Sequence, residues 1–270
     1  MEDQNSKENK ENVIVEIIQT GSEMGGSVGG ALIGVLLAGP AGGVIGGAAG
    51  PLLTRLFIKA GKEIRQRFFG EREKIRVGFT YGVGYQKVTL RLKKGDLIRS
   101  DDFFDNSEIN RSTAEEILEG VIKSAEKEFE EKKLKFYGNL LANICFTANV
   151  NKDKAHYFLR TVQNLTYKQL CILQFIILYG QQQLNWSYSF NHLDELSRYS
   201  SLEPLIEDLD RHKLLAVMRS SGLNISTFSI SKLGKELADL MELNEIESIE
   251  ITNIREELEQ IKQIIEQKKK

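Results

Sequence analysis

GSEMGGSVGGALIGVLLAGPAGGVIGGAAGPLLTRLF, residues 21–57, is the stretch on which the fold reading turns. From Met24 to Thr54 it carries no charge over 31 residues, 11 of them glycine and five alanine. That is long enough for a bilayer, which needs about 20 apolar residues. The glycines recur every four positions in overlapping registers: Gly21, Gly25, Gly29; Gly26, Gly30, Gly34; Gly39, Gly43, Gly47; Gly42, Gly46, Gly50. On a helix this spacing clears one face of side chains, so that a second backbone can come close, as helices do in lipid. The expectation is a glycine-zipper membrane segment that self-associates through Gly25, Gly29, Gly30, Gly34, Gly39, Gly42, Gly43, Gly46, Gly47 and Gly50. Pro40 interrupts it, giving either one kinked span or two helices of roughly 15 residues.

The flanks set the expected orientation. Six acids precede Met24, against Lys7 and Lys10, which is the reverse of a secretory leader. Arg55, Lys59, Lys62, Arg65 and Arg67 follow as a basic flank. By the positive-inside rule this places the segment in the inner membrane with the C-terminal part in the cytoplasm. A phosphate loop is excluded, because no GK[ST] follows the glycines and no strand run precedes them. A dinucleotide fingerprint lacks its βαβ context. A buried hairpin inside a soluble oligomer is the serious rival.

Thirty-six basic and 38 acidic residues leave a formal charge of −2, with no global pull toward nucleic acid. Cys145 and Cys171 sit in apolar helical contexts without a CxxC pair and read as buried reduced thiols. His156, His192 and His212 have no metal-ligand partner at helical spacing, and no nucleophile motif is present. The expectation is therefore no enzyme, no cofactor and no metal.

Five segments follow: a lead over 1–20, the glycine-rich segment with its basic flank over 21–70, a helical middle domain over 71–165, a module over 166–243 and a C-terminal helix over 244–270. Residues 75–92 alternate as a strand would but also suit a helix; Gly95 after Lys93-Lys94 resembles a helix C-cap and favours the helix. Ser112 with Glu115 spells a capping box opening a helix to about Lys133, with Phe129 on its apolar face and the charged run 126–135 solvated. Helices are expected over 134–148, around 157–162 and, capped by Thr166, over 167–179. Ile251, Ile254, Leu258, Ile261 and Ile265 alternate by three and four, two heptads of coiled-coil seam.

Within 166–243 the order reads helix (192–199), helix (202–213), strand (214–218), turn, strand (225–230), helix (232–243). The string LEPLIEDLDRHKLLAVMRSSGLNISTFSISKLGKELADLMEL resembles the recognition helix, wing and closing helix of winged-helix proteins, with Leu233-Gly234 leading into the last helix. Its helix carries Glu203, Glu207, Asp208 and Asp210, which phosphate would repel, so a protein contact is expected and nucleic acid is not.

Leu140-Leu141-Ala142, Phe158 to Val162, and Leu165-Thr166 with Leu170, Leu173 and Ile176 carry a second likeness. Residues 112–180 resemble the core of the Abi-alpha-like abortive-infection proteins of bacteria. The resemblance implies a part in defence against phage, and it supplies no catalytic residue. The fold class expected is mainly α: a glycine-zipper membrane segment, a helical middle domain, a winged-helix-like α+β module and a short coiled-coil helix. The expected partners are a lipid bilayer, further copies of the chain and a protein trigger. The alternative is a non-toxic membrane-anchored or oligomeric scaffold that senses a partner.

Overall fold

The computed structural model describes residues 70–106, 111–185, 202–219 and 225–267, together with Leu53, Leu56, Phe57 and Lys59. The chain divides into two compact units, residues 1–159 and 160–270. Among the described residues no helix is long and apolar enough to cross a membrane. The longest, α1 (Glu71–Lys93), carries eight charged residues in its 23. The membrane-spanning element of the expected fold class is corrected accordingly: the described architecture is helices, with one small sheet, packed on one another. The glycine positions from Gly25 to Gly50, and Arg55, Lys62, Arg65 and Arg67, lie outside the described residues.

The first unit is built around α1, which packs against α2 (Thr113–Lys127) and α3 (Leu134–Ile144). Val77, Tyr81, Val83, Tyr85 and Val88 are all buried. A helix covered on several sides buries residues that alternate as well as residues at helical spacing, which is why residues 75–92 read ambiguously. The crossing of α1 and α3 is close. A Cβ on Gly138 would lie 2.7 Å from the Val83 Cβ and 2.8 Å from the Thr80 carbonyl oxygen, and one on Gly84 would lie 3.3 Å from the Gly138 oxygen. Glycine is required there for the approach of two backbones, not for its φ freedom.

Helix α2 is shorter than expected. Ser112 caps it by accepting from the Glu115 N–H at 3.2 Å. The reciprocal half of the capping box is replaced: the Ser112 N–H donates to Asn106 Oδ1 at 2.8 Å, and the Glu115 carboxylate turns to Lys59. At the other end Glu128 leaves the helix in an extended conformation. Its carboxylate turns inward to accept from Lys133 Nζ at 2.6 Å and the Tyr137 hydroxyl at 3.2 Å. Phe129 is thereby turned out to 84% exposure rather than lying on an apolar helix face. The run 126–135 is likewise not a solvated face, since the Lys133 and Glu128 side chains are 2% and 6% exposed. A 3₁₀ turn, Glu131–Lys133, leads into α3, which ends at Ile144 and not at 148. Helix α4 (Lys152–Asn164) starts five residues earlier than the pattern suggests.

In the second unit Thr166 and Gln169 form the full capping box of α5 (Tyr167–Tyr179). Gln169 is buried, and its amide also reaches Asp208 Oδ2 at 2.9 Å, tying α5 to α6 (Leu202–Arg211). Three strands follow the order β1-β3-β2, all antiparallel: β1 (Gln182–Asn185), β2 (Leu215–Arg219) and β3 (Ile225–Ile230). From α6 onward the expected sequence of helix, strand, strand and helix is present, closing with α7 (Lys232–Met241). The strand β1 is a miss, because a short edge strand held by backbone pairing needs no apolar alternation. The expected helix over 192–199 lies outside the described residues.

The last helix, α8 (Ser248–Gln267), corrects the coiled-coil expectation. Ile251, Ile254, Leu258 and Ile261 are buried within the single chain, where α8 packs against α5. Lys168 Nζ and Glu257 Oε2, 2.8 Å apart, border that seam. An a/d stripe needs an apolar partner, and α5 supplies one without a second copy.

Candidate functional site: the end of the glycine-rich stretch

The described residues closest in sequence to the glycines are Leu53, Leu56, Phe57 and Lys59, all helical. Leu53 and Phe57 are completely buried and Leu56 nearly so. Phe57 is covered in part by α1. The Phe57 ring meets Tyr81 and Tyr85 edge-on, with centroids 5.6 and 5.7 Å away, while Tyr81 and Tyr85, one turn apart, lie nearly parallel at 6.3 Å. The Tyr81 hydroxyl donates to the Phe57 carbonyl oxygen at 2.8 Å. Aromatic pairs of this geometry are worth about 0.5–1.5 kcal/mol each beyond the area they bury. The hydrogen bond adds a polar tie between the Phe57 backbone and α1.

A polar latch stands beside this aromatic clasp. Lys59, half-exposed, places Nζ 2.6 Å from Glu115 Oε1 in the first turn of α2. Glu115 also faces Arg111 at 3.8 Å, Arg111 pairs with Glu119, and Glu119 lies 2.7 Å from Lys123. Lys123 first, and Arg111 after it, hold the Glu119 carboxyl down at about 2, against a partial burial that opposes them. Its folded pKa is thus below its ordinary value of 4.5. The stabilisation is complete above that value and is lost as pH falls from about 4.5 through about 2. The melting temperature of the full chain is expected to fall across this window, and Glu119→Gln to flatten part of the fall; an identical pH profile in the variant would refute the assignment.

Of the basic flank named from sequence, Lys59 is thus placed in a protein contact. From sequence, Tyr81 and Tyr85 entered only as members of an alternating run and Glu115 only as half of a capping box. The i, i+4 tyrosines within VGFTYGVGY were the available signal, obscured by the strand-like alternation of that run. Among the described residues no group of His, Cys, Asp and Glu is placed to hold a metal ion. His156 Nε2 lies 3.1 Å from Glu116 Oε2, which Lys152 approaches at 3.3 Å; this is an ion-pair cluster without a nucleophile. Burial pushes the Cys145 thiol up to about 12, far from thiolate chemistry at neutral pH. On α6, Leu202, Ile206 and Leu209 face inward. Burial and the neighbouring Glu207 raise the Glu203 carboxyl.

Comparison with protein-family models, curated proteins and solved structures returns no match.

Proposed function

We propose that the chain is a non-enzymatic, membrane-associated effector of bacterial defence, of the abortive-infection kind. In this reading the glycine-rich stretch perturbs the inner membrane from its cytoplasmic face, and the helical unit controls when it does so. The observation that carries the reading is the clasp: Phe57 packs on Tyr81 and Tyr85 of the same unit whose Glu115 holds Lys59. A segment held at its C-terminal end by aromatic packing and one half-exposed ion pair can be released by a modest change in that unit, since such a pair contributes about 1 kcal/mol or less. The likeness of residues 112–180 to Abi-alpha-like proteins supports the defence context, and the glycine spacing supports assembly of several copies. The acidic α6 supports a protein trigger and argues against nucleic acid.

Growth arrest on expression and dye leakage from liposomes test the proposal. Lys59→Glu, which opposes Glu115, is expected to raise leakage several-fold, and the swapped pair Lys59→Glu/Glu115→Lys to bring it back toward the parent. Gly46→Leu/Gly47→Leu is expected to remain vesicle-bound while losing leakage, because leucine raises apolarity but fills the face on which backbones meet. If no version leaks or arrests growth, the reading fails. The burial of Leu53 and Phe57 in protein then favours the second reading, a non-toxic scaffold that uses the stretch to bind partners.

A further inference from the structure

The first turn of α2 holds two glutamates that face different elements. Glu115 turns to Lys59 in the clasp, whereas Glu116, the next residue and about 100° round the helix, turns to α4. Glu116 Oε2 lies 3.1 Å from His156 Nε2 and 3.3 Å from Lys152 Nζ, two residues one turn apart on α4. The next turn of α2 repeats the division. Glu119 continues the clasp side by pairing with Arg111, which itself faces Glu115 at 3.8 Å. Gly120 continues the α4 side, where a Cβ would fall inside the van der Waals envelope of the Leu159 Cδ2 and 3.7 Å from its Cγ. Leu159, itself buried, occupies the space that a side chain at position 120 would fill.

The two sides of α2 are not free to move separately. Ser112 caps the helix by accepting from the Glu115 N–H, and its own N–H is held by Asn106 Oδ1. A capped helical turn shifts as a body, because its backbone bonds fix neighbouring side chains relative to one another. A tilt of that turn to follow α4 therefore carries the Glu115 carboxylate away from Lys59. Residues Lys152 to Leu159 of α4 belong to the first unit, and the same helix runs on to Asn164 in the second.

We propose that α4 sets the clasp. Seated on Glu116 and Gly120, it keeps the first turn of α2 where Glu115 meets Lys59, and its displacement loosens residues 53–59. The inference rests on the control of the glycine-rich stretch proposed above and names the element through which that control is exercised. A trigger acting on α4 then has no need to touch the clasp, and an event in the second unit has a path to it along one helix.

The test is hydrogen exchange of the full chain, read by mass spectrometry on the peptide covering residues 53–59 and on a reference peptide from α3. Lys152→Glu/His156→Glu, which turns both partners of Glu116 into like charges, is expected to speed exchange of residues 53–59 several-fold while α3 keeps the parent's rate. Adding Glu116→Lys, which makes the contact attractive again, is expected to restore the parent's rate. Lys59→Glu breaks the latch directly and sets the scale of full release. If Lys59→Glu speeds the exchange of 53–59 and the α4 variant does not, the inference is overturned and the clasp stands. If neither changes it, the clasp is no latch and the reading beneath the inference falls too. Equal acceleration in α3 would show general destabilisation in place of local release and would likewise overturn the inference.

Discussion

Gly234→Ala is expected to destabilise the second unit by about 3 kcal/mol, enough to lower its urea midpoint sharply or to prevent its folding. The reason is a backbone contact that cannot yield. Ser231, the N-cap of α7, accepts from the Gly234 N–H at 2.9 Å, gives its hydroxyl proton to the Lys213 carbonyl oxygen at 2.7 Å and its N–H to the Leu214 oxygen at 3.0 Å. These bonds draw the first turn of α7 onto the start of β2. A Cβ on Gly234 would fall inside the van der Waals envelope of the Leu214 carbonyl oxygen, and within 2.8 Å of the Ile230 Cδ1 and 2.9 Å of the Leu214 carbonyl carbon. The isoleucine can move, whereas the Leu214 peptide is fixed by its own bonds to Ser231 and to the end of α6, where its N–H reaches the Leu209 oxygen at 3.0 Å. Alanine is otherwise the better helix former by nearly 1 kcal/mol, so the sign of the measured change is decisive. Stabilisation or no change in equilibrium unfolding would show that the turn relaxes and would refute the argument.

The second large effect is expected at the buried pair in the first unit. Glu128→Ala should cost about 3–5 kcal/mol, because it leaves Lys133 charged and 2% exposed with its carboxylate removed. The loss is compounded by the Tyr137 hydroxyl and the Glu130 N–H, both of which donate to Glu128. Arg76 fixes the same corner by donating to the Glu128 carbonyl oxygen at 2.6 Å, and that bond survives the substitution only if the backbone stays in place. Lys133→Met should cost a similar amount by stranding the acid. Removing both partners, as Glu128→Leu/Lys133→Met, should cost less than the sum of the single changes, since no uncompensated charge is left inside. A double-mutant cycle in urea measures this directly, and additive single effects would show that the two side chains act independently.

These two sites show what was legible from sequence and what was not. Leu233-Gly234 stood out as the entry to a closing helix, and α6, β2, β3 and α7 lie where patterning placed them. The Thr166 cap was legible for the same reason, a local residue doing a local task. Glu128 and Lys133 were not legible, because a charged run looks solvated unless it is known that the helix stops at Lys127. That stop is caused by a tertiary contact, Glu128 turning in toward Tyr137. The Phe129 misplacement is the same error seen from outside. In α1 the alternation of Val77, Phe79, Tyr81, Val83 and Tyr85 was real, but it records burial on several sides. Gly84 and Gly138 pass the test of close backbone approach that was applied only to residues 21–50. At the candidate site, Lys59 was singled out as a basic flank, while its acceptor Glu115 was read as the second half of a cap. The spanning helix expected from residues 24–54 has no counterpart among the described residues.

The packing of α8 on α5 has a consequence for the order in which the protein is made. Helix α5 leaves the ribosome about 70 residues ahead of α8, which packs against it, on the order of 4 to 14 s at roughly 5–20 residues per second. Ile251, Ile254, Leu258 and Ile261, buried in the finished fold, emerge only after that interval. Helices α1, α2 and α3 of the first unit have all emerged by Ile144 and can pack while translation continues. The second must wait, with an apolar helix face uncovered, and its nascent chain is therefore the stage at which chaperone capture or premature self-association is most favoured.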